Sequence, residues 1–360
     1  MKRILSLDCG GVRGFFSLEI LHRIETLLRE QTRNPDLVLA DHFDFIGGTS
    51  TGAIVAAALA WGMPVERIRE MYHHQCASVF GGKRGLLGRF YAKYSEAPLT
   101  AVLQQVFSED GQGGQPALLG SAKVRTLLMV VMRNAATGAP WPITNNPRAM
   151  FNNPNSPECN LQIPLWQLVR ASTAAPTYFF PEELTLARQR HVFVDGAVSP
   201  FGNPSFLMFL TATLPCYGLE WPSGEDQILM VSVGTGRTRV RLDCPPTRQR
   251  SLPKQVAHAV GGLLDSSGVY QDLLCRTMGR CLWGEPLDLE VGALLADEAG
   301  PPWRRQFTYV RYNHEFTRDE LKPVGGTELF RRMDNLKLIP FLRDAGAAFA
   351  ESCVRGDHLG

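Results

Sequence analysis

The chain has 360 residues, 44% of them hydrophobic and 20% charged, an ordinary globular composition with room for roughly two domains or one large one. A formal net charge of +2 is too small to argue for a nucleic-acid polymer binder. Eight scattered cysteines, with no Cys-x-x-Cys and no Cys/His cluster, predict reduced thiols, no metal and a cytoplasmic setting. Met1-Lys2-Arg3 opens like a secretory signal, but Asp8 ends its apolar run too early. "FLMFLTATLPCYGL" at 206–219 is too short for a membrane span and contains Pro215.

In chain order, "RILSLD" predicts a strand, "CGGVRG" a glycine turn, and Ile20, Leu21, Ile24, Leu27 and Leu28 one face of a helix. Phe43, Phe45 and Ile46 then mark a short buried strand, and Thr51 to Trp61 an alanine-rich helix. Pro64 starts a further helix, "VERIREMYHHQ". "VRTLLMVVMRN" at 124–134 reads as a strand buried on both faces of a parallel sheet. Residues 135–163 read as a long Pro/Asn-rich loop, a functional loop or an insertion. A helix "PLWQLVRASTAA" and strands "HVFVD" and "QILMVSVGTG" follow. From Lys254 the pattern is mostly helical, broken by a strand "FTYVRY". The alternation predicts an α/β fold with a mainly parallel sheet: a core over 1–240 and a helical extension over 241–360 packed on it.

The chemistry centres on Gly48-Thr49-Ser50-Thr51-Gly52, a G-x-S-x-G between a strand and a helix. Such a joint strains the serine backbone and exposes Oγ at a helix N-terminus, where developing negative charge is favoured. The bland alternative is a Gly/Ser-rich turn without chemistry. A serine nucleophile also needs a proton acceptor and oxyanion donors. Bare amides at Gly10 and Gly11 in "DCGGVRG" can supply the donors, each worth on the order of 3 kcal/mol in the barrier. The same turn could instead hold a nucleotide phosphate, though it lacks the G-x-G-x-x-G pattern. For the acceptor, a Ser-His-Asp site would draw on His258 or His314. Asp195, ending an apolar strand before Gly196, could instead act directly if burial lifts its pKa.

Strand–DCGGVRG–helix, then GTSTG, then Asp195-Gly196-Ala197, in that order, resembles the patatin-like phospholipases. "LWQLVRASTAAPTYFFPEEL" and "SVGTG" carry the resemblance further, over roughly residues 3–236. The resemblance implies a three-layer α/β/α fold and hydrolysis of lipid acyl esters by a Ser-Asp dyad without a cofactor. Ser50 would be the nucleophile and Asp195 the base. The amides around Cys9, Gly10 and Gly11, with Arg13 as the motif's basic residue, would form the oxyanion hole. Cys9 stands where the family has glycine, which would be strained if the position needs a positive φ. With the dyad present, a catalytically inactive binding module on the same fold remains the alternative.

The expected substrate is a membrane glycerophospholipid, cleaved at the inner membrane surface. "GGKRGLLGRFYAKY" (81–94) interleaves Lys83, Arg84, Arg89 and Lys93 with Leu86, Leu87, Phe90 and Tyr91, as a peripheral membrane contact would. Phe179-Phe180-Pro181 could line the acyl pocket or pack under the sheet. The layout and helical tail are most similar, within the family, to bacterial effectors switched on by cyclic dinucleotides in anti-phage (CBASS) signalling. The 236–254 segment would be the ligand site, with Arg237, Arg239 and Arg241 pairing the phosphodiesters. The 135–163 loop would be the lid that such a ligand orders. Association into a homo-oligomer is left open.

Overall fold

A computed structural model describes residues 1–81, 92–186, 188–238, 252–296 and 305–360, with side chains described outside 252–261. β1 (Lys2–Leu7) leads through a glycine turn into α1 (Gly14–Thr32), then a short α2 (Leu39–His42) and β2 (Phe45–Thr49). α3 (Thr51–Ala60), α4 (Val65–Gly81) and α5 (Ala97–Val106) follow, then β3 (Leu127–Asn134) and β4 (Pro140–Thr144). α6 (Leu165–Ser172), β5 (Glu182–Leu186), β6 (Gln189–Asp195), α7 (Ser205–Thr213), β7 (Ile228–Val233) and a two-residue β8 (Arg237–Thr238) complete the first part. The remainder contributes α8 (Leu252–Met278), β9 (Arg280–Trp283), β10 (Thr308–Tyr312), β11 (Glu315–Phe316), α9 (Arg318–Leu321), α10 (Thr327–Phe330) and α11 (Ile339–Cys353).

One sheet has the order β5-β6-β3-β2-β1-β7-β10-β9, with β4 on β3. Its centre, from β3 to β9, is parallel; β4, β5 and β6 are antiparallel additions at one side. Successive residues of the central strands go to opposite faces, as the two-residue period requires. Leu5, Ile46, Val130 and Val231 join a core with α1, α3 and α6, while Ile4, Phe45, Met129 and Met230 join a second core with α7. Helices on both faces of a mainly parallel sheet make the three-layer architecture expected from the sequence.

Two elements differ from the sequence reading. Residues 140–144, expected in a loop, form β4, whose Pro140 and Pro142 suggested irregular backbone. A proline lacks only the N–H, and on an edge strand that donor can face away from the ladder. Both prolines are two residues apart and so share the free edge of β4. After residue 240 the expected strand "FTYVRY" forms β10, but β9, absent from the sequence reading, joins it in extending the central sheet, and α11 packs along α1. β9 spans only four residues, too few for a clear alternation.

Candidate active site

β3 acts as the ruler for the site. Its Val131 pairs with Thr49 of β2, and the next residue, Met132, pairs with Asp195 of β6. β4 pairs with the same two residues, so it takes the other edge. β2 and β6 therefore converge end-on along a single edge of β3, one parallel to it and one antiparallel. The residue after Thr49 is delivered against the last residue of β6. Ser50 Oγ donates to Asp195 Oδ2 at 2.6 Å, and both residues are buried.

Ser50 has φ 57° and ψ −122°, a conformation that costs a side-chain-bearing residue about 1–3 kcal/mol. Tight crossing of the surrounding backbone holds it there. A Cβ on Gly48 would lie 2.2 Å from the carbonyl oxygen of Gly52, and one on Gly52 only 2.3 Å from that of Leu7. Ser172, at the end of α6, is the strut. Its Oγ accepts the Ser50 amide at 2.9 Å and donates to the Val131 carbonyl at 2.6 Å. One fully buried hydroxyl thus ties the elbow to the ruler strand.

Asp195 Oδ1 accepts the amide of Ala197 at 2.8 Å, which fixes the carboxylate plane. Gly196 passes so close to β3 that a Cβ there would sit 2.3 Å from the Val131 carbonyl oxygen. Burial pushes the Asp195 carboxyl up to about 6, against the opposing pull of the Ser50 hydroxyl, the Ala197 amide and the Arg170 charge. Arg170 is itself fully buried, donating to the Phe180 carbonyl at 3.1 Å with its guanidinium 5.4 Å from the Phe179 ring centre. Such a carboxylate is ionised at neutral pH yet basic enough to accept a proton.

The glycine turn beside the elbow corrects one expectation. The Cys9 amide donates to the Gly202 carbonyl at 2.9 Å, so it is not free for an oxyanion. The amides of Gly10 and Gly11 donate to no protein group among the described residues. Arg13 does not reach a substrate position: Nε donates to the Gly10 carbonyl at 3.4 Å and Nη1 to the Gly236 carbonyl at 3.2 Å. Because a trans peptide points its C=O and N–H in opposite directions, holding the Gly10 carbonyl turns the Gly11 amide the other way. Cys9 has no positive φ, so it carries no strain of the glycine kind. Desolvation and the nearby charges of Asp195 and Asp8 push its thiol up to about 12. The turn is anchored from the far end of the chain, where Arg311 of β10 forks onto both Asp8 oxygens at 2.9 and 2.5 Å.

An apolar cavity opens from Gly11 and Ser50 and runs between α3, α4 and α5. Ile54, Met71, Val79, Leu99, Leu103 and Phe179 line it, so of the Phe179-Phe180 pair only the first faces this space. Other expected residues stand elsewhere. His314 binds Glu285 through Nδ1 at 2.6 Å and Glu320 through Nε2 at 3.0 Å, and these carboxylates push it up to about 9. No described histidine side chain bonds to Ser50 or Asp195, and the His258 side chain lies outside the described residues. Arg237 is occupied by the Pro286 and Leu287 carbonyls and by Glu315 at 2.9 Å, which corrects its reading as an open anion site. Arg239 and Arg241 lie outside the described residues, as do residues 82–91 of the proposed membrane segment. Lys93, at the end of that segment, pairs with Asp334. Sequence reading missed Ser172 and Arg170, although a serine and an arginine in an otherwise apolar "LVRASTAA" are a signal of polar work inside the protein.

Fold and site together define an α/β protein of the nucleophile-elbow class, with a carboxylate as the serine's partner. Residues 5–204 match the family model described as "Patatin-like phospholipase", and the chain belongs to that family. Patatin-17 of Solanum cardiophyllum is 31% identical over 258 residues, covering 66% of this chain and 61% of that protein. The "cGAMP-activated phospholipase" of Escherichia coli strain TW11681 is 29% identical over 214 residues, covering 58% of this chain and 55% of its own. This chain therefore spans less than two thirds of the length of these relatives. The solved structure of VipD from Legionella pneumophila aligns over 96% of this chain and 67% of its own, at 13% identity and a TM-score of 0.38. No helix among the described residues is long and apolar enough to cross a membrane.

Proposed function

We propose that the protein is a phospholipase A-type acyl hydrolase that cleaves acyl esters of membrane glycerophospholipids with a Ser50–Asp195 dyad. The observation that carries this reading is the 2.6 Å hydrogen bond between a strained, buried serine and a buried carboxylate at the mouth of an apolar cavity. Asp195 takes the proton as Ser50 Oγ attacks the ester carbonyl. The Gly10 and Gly11 amides stabilise the oxyanion. Asp195 then returns the proton to the departing lysophospholipid oxygen, leaving the acyl group on Ser50 Oγ; water, deprotonated by the same carboxylate, attacks that ester, and the proton passes to Ser50 Oγ as the fatty acid leaves. The acyl chain lies between α4 and α5, and the enzyme works in the cytoplasm as a peripheral protein at the inner membrane surface.

Activation by a cyclic dinucleotide in anti-phage defence is the regulatory part of the proposal. It is supported by the name of the Escherichia coli relative. The test is fluorophosphonate labelling and phospholipid-vesicle hydrolysis by the wild type, Ser50→Ala and Asp195→Asn, each with and without cyclic GMP–AMP. Loss of labelling in Ser50→Ala, loss of turnover in both variants and stimulation of the wild type are the expected results. Retained turnover in folded Asp195→Asn would sink the dyad.

A further inference from the structure

The glycine turn that follows β1 is held at almost every backbone group. The amides of Asp8, Cys9, Val12 and Arg13 donate to the carbonyls of Val233, Gly202, Met333 and Gly10, and the Cys9 carbonyl accepts from Thr235 Oγ1 at 2.9 Å. Gly10 and Gly11 keep the two amides without a protein acceptor among the described residues. Where those two point depends on how Asp8 is held. Arg311 Nη1 and Nη2 donate to Asp8 Oδ1 and Oδ2 at 2.9 and 2.5 Å, and Nη1 also donates to Ser232 Oγ at 2.7 Å. With both oxygens taken, the carboxylate is fixed in position and in plane, which a fork does and a point charge does not. Arg311 is itself seated in the sheet. It pairs with Ser232 of β7, and Ser232 pairs with Ser6 of β1, so a polar row crosses three strands. Two positions earlier on each strand, Ile4, Met230 and Tyr309 belong to the core with α7.

The pair is nearly buried, with side-chain exposure of 12% for Asp8 and 4% for Arg311. Withdrawing two charges from water offsets most of what their attraction returns, so a buried pair contributes little net stability. Its specific effect is geometric. It ties the turn to a strand 303 positions away, and that strand lies beyond residues 5–204, the region matching the family model. We propose that Arg311 is a positioning residue for the oxyanion site, holding Asp8 so that the Gly10 and Gly11 amides converge on the oxygen of the reacting ester. The core that carries the serine, the acid and the glycine turn thus borrows its anchor from β10. A misplacement of about 1 Å can cost on the order of a hundredfold in rate, so slight slack at Asp8 reaches the chemistry. This role rests on the reading of Ser50 as an acyl-ester nucleophile.

The test uses the full chain, with active sites counted by exhaustive fluorophosphonate labelling so that only folded enzyme enters the rates. Arg311→Lys keeps the charge and gives up the fork. Ser232→Ala removes one bond that steadies the fork and leaves the pair itself in place. On a soluble short-chain ester, kcat should fall about tenfold or more in Arg311→Lys and less in Ser232→Ala, with KM little changed in both. A short alkyl trifluoromethyl ketone gives the second readout. Ser50 Oγ adds to its carbonyl carbon as the proton passes to Asp195, and the C=O π pair becomes an oxyanion held by Gly10 and Gly11. Ketone affinity should therefore drop by the same factor as kcat/KM. The acid limb of the pH profile should stay in place, because the charge acting on Asp195 is that of Arg170. Unaltered kcat in Arg311→Lys (or, where that variant does not fold, in Ser232→Ala), a rise of KM alone, or ketone binding that holds while kcat falls would overturn the positioning role and leave the hydrolase reading standing. A wild type that neither hydrolyses the ester nor binds the ketone would overturn both.

Discussion

Thr49 and Asp195 pair with neighbouring residues of a single strand, Val131 and Met132, although 145 positions separate Ser50 from Asp195. The hydroxyl and carboxylate meet because two strands of opposite direction end at the same point on a third. This meeting gives Asp195 both its burial and a hydrogen bond from the Ser50 hydroxyl, and the proposed dyad depends on each.

The base must be ionised to accept a proton, and burial holds Asp195 up to about 6. Turnover should be fully present above that value and fall about tenfold for each pH unit below it. His314 is held by Glu285 and Glu320 and should not shape the profile, so His314→Ala should keep the same acid limb. A pH–rate profile of kcat/KM on a soluble short-chain ester, for both proteins, checks this. An acid limb that moves or vanishes in His314→Ala would contradict it.

The same burial makes the ionised Asp195 a cost to folding. Its folded pKa is raised, so the cost is fully present above about 6 and disappears below the unfolded value of 3.8. Asp195→Asn keeps the shape and removes the charge, so the variant should be more stable than the wild type by roughly 1–3 kcal/mol at pH 8. The gain should shrink towards pH 4. Denaturant melts at the two pH values measure it.

Ser172→Ala leaves the Ser50 amide and the Val131 carbonyl each without the Ser172 hydroxyl. A destabilisation of about 1–3 kcal/mol is expected from the unmet buried groups. Because the elbow loses its strut, kcat should fall about tenfold or more, a barrier change of about 1.4 kcal/mol, with KM little changed. Steady-state kinetics alongside thermal unfolding would separate the two effects. A destabilised variant with unaltered kcat would show that the strut serves the fold alone.

Val102 lines the proposed acyl cavity from α5 and is half-buried, which leaves room for a larger side chain to turn inward. Val102→Trp should shift preference towards shorter acyl chains, with each excluded methylene forfeiting about 0.8 kcal/mol of burial. Competition between acyl esters of graded length provides the measurement. An unchanged length preference would remove the acyl chain from this cavity.

Much of this site was legible in the sequence because it rests on local pattern. A strand, glycines, a serine and an alanine-rich helix can be read within a short stretch of chain, and Asp195 closes a visible strand. Fold class followed from the alternation of strands and helices. The Cys9 amide could not be placed, because its acceptor, Gly202, is 193 positions away and offers only a carbonyl. Arg237 looked like an open cation in its charge run, yet its partners come from Pro286, Leu287 and Glu315. Such commitments depend on long-range folding. Ser172 was passed over for a different reason, since one hydroxyl at a helix end has no period to betray it.

The pairing along β3 also sets what this protein can tolerate in evolution. Side chains alternate across a strand, so a single-residue deletion between the β3–β4 hairpin and the end of β6 that slips the ladder by one would rotate the acid to the opposite face. The hydrophobic sheet could absorb that error more readily than the chemistry could. Insertions and deletions here should therefore silence the proposed activity long before they unfold the protein, while Ser50, Asp195 and every motif around them still stand intact in the written sequence.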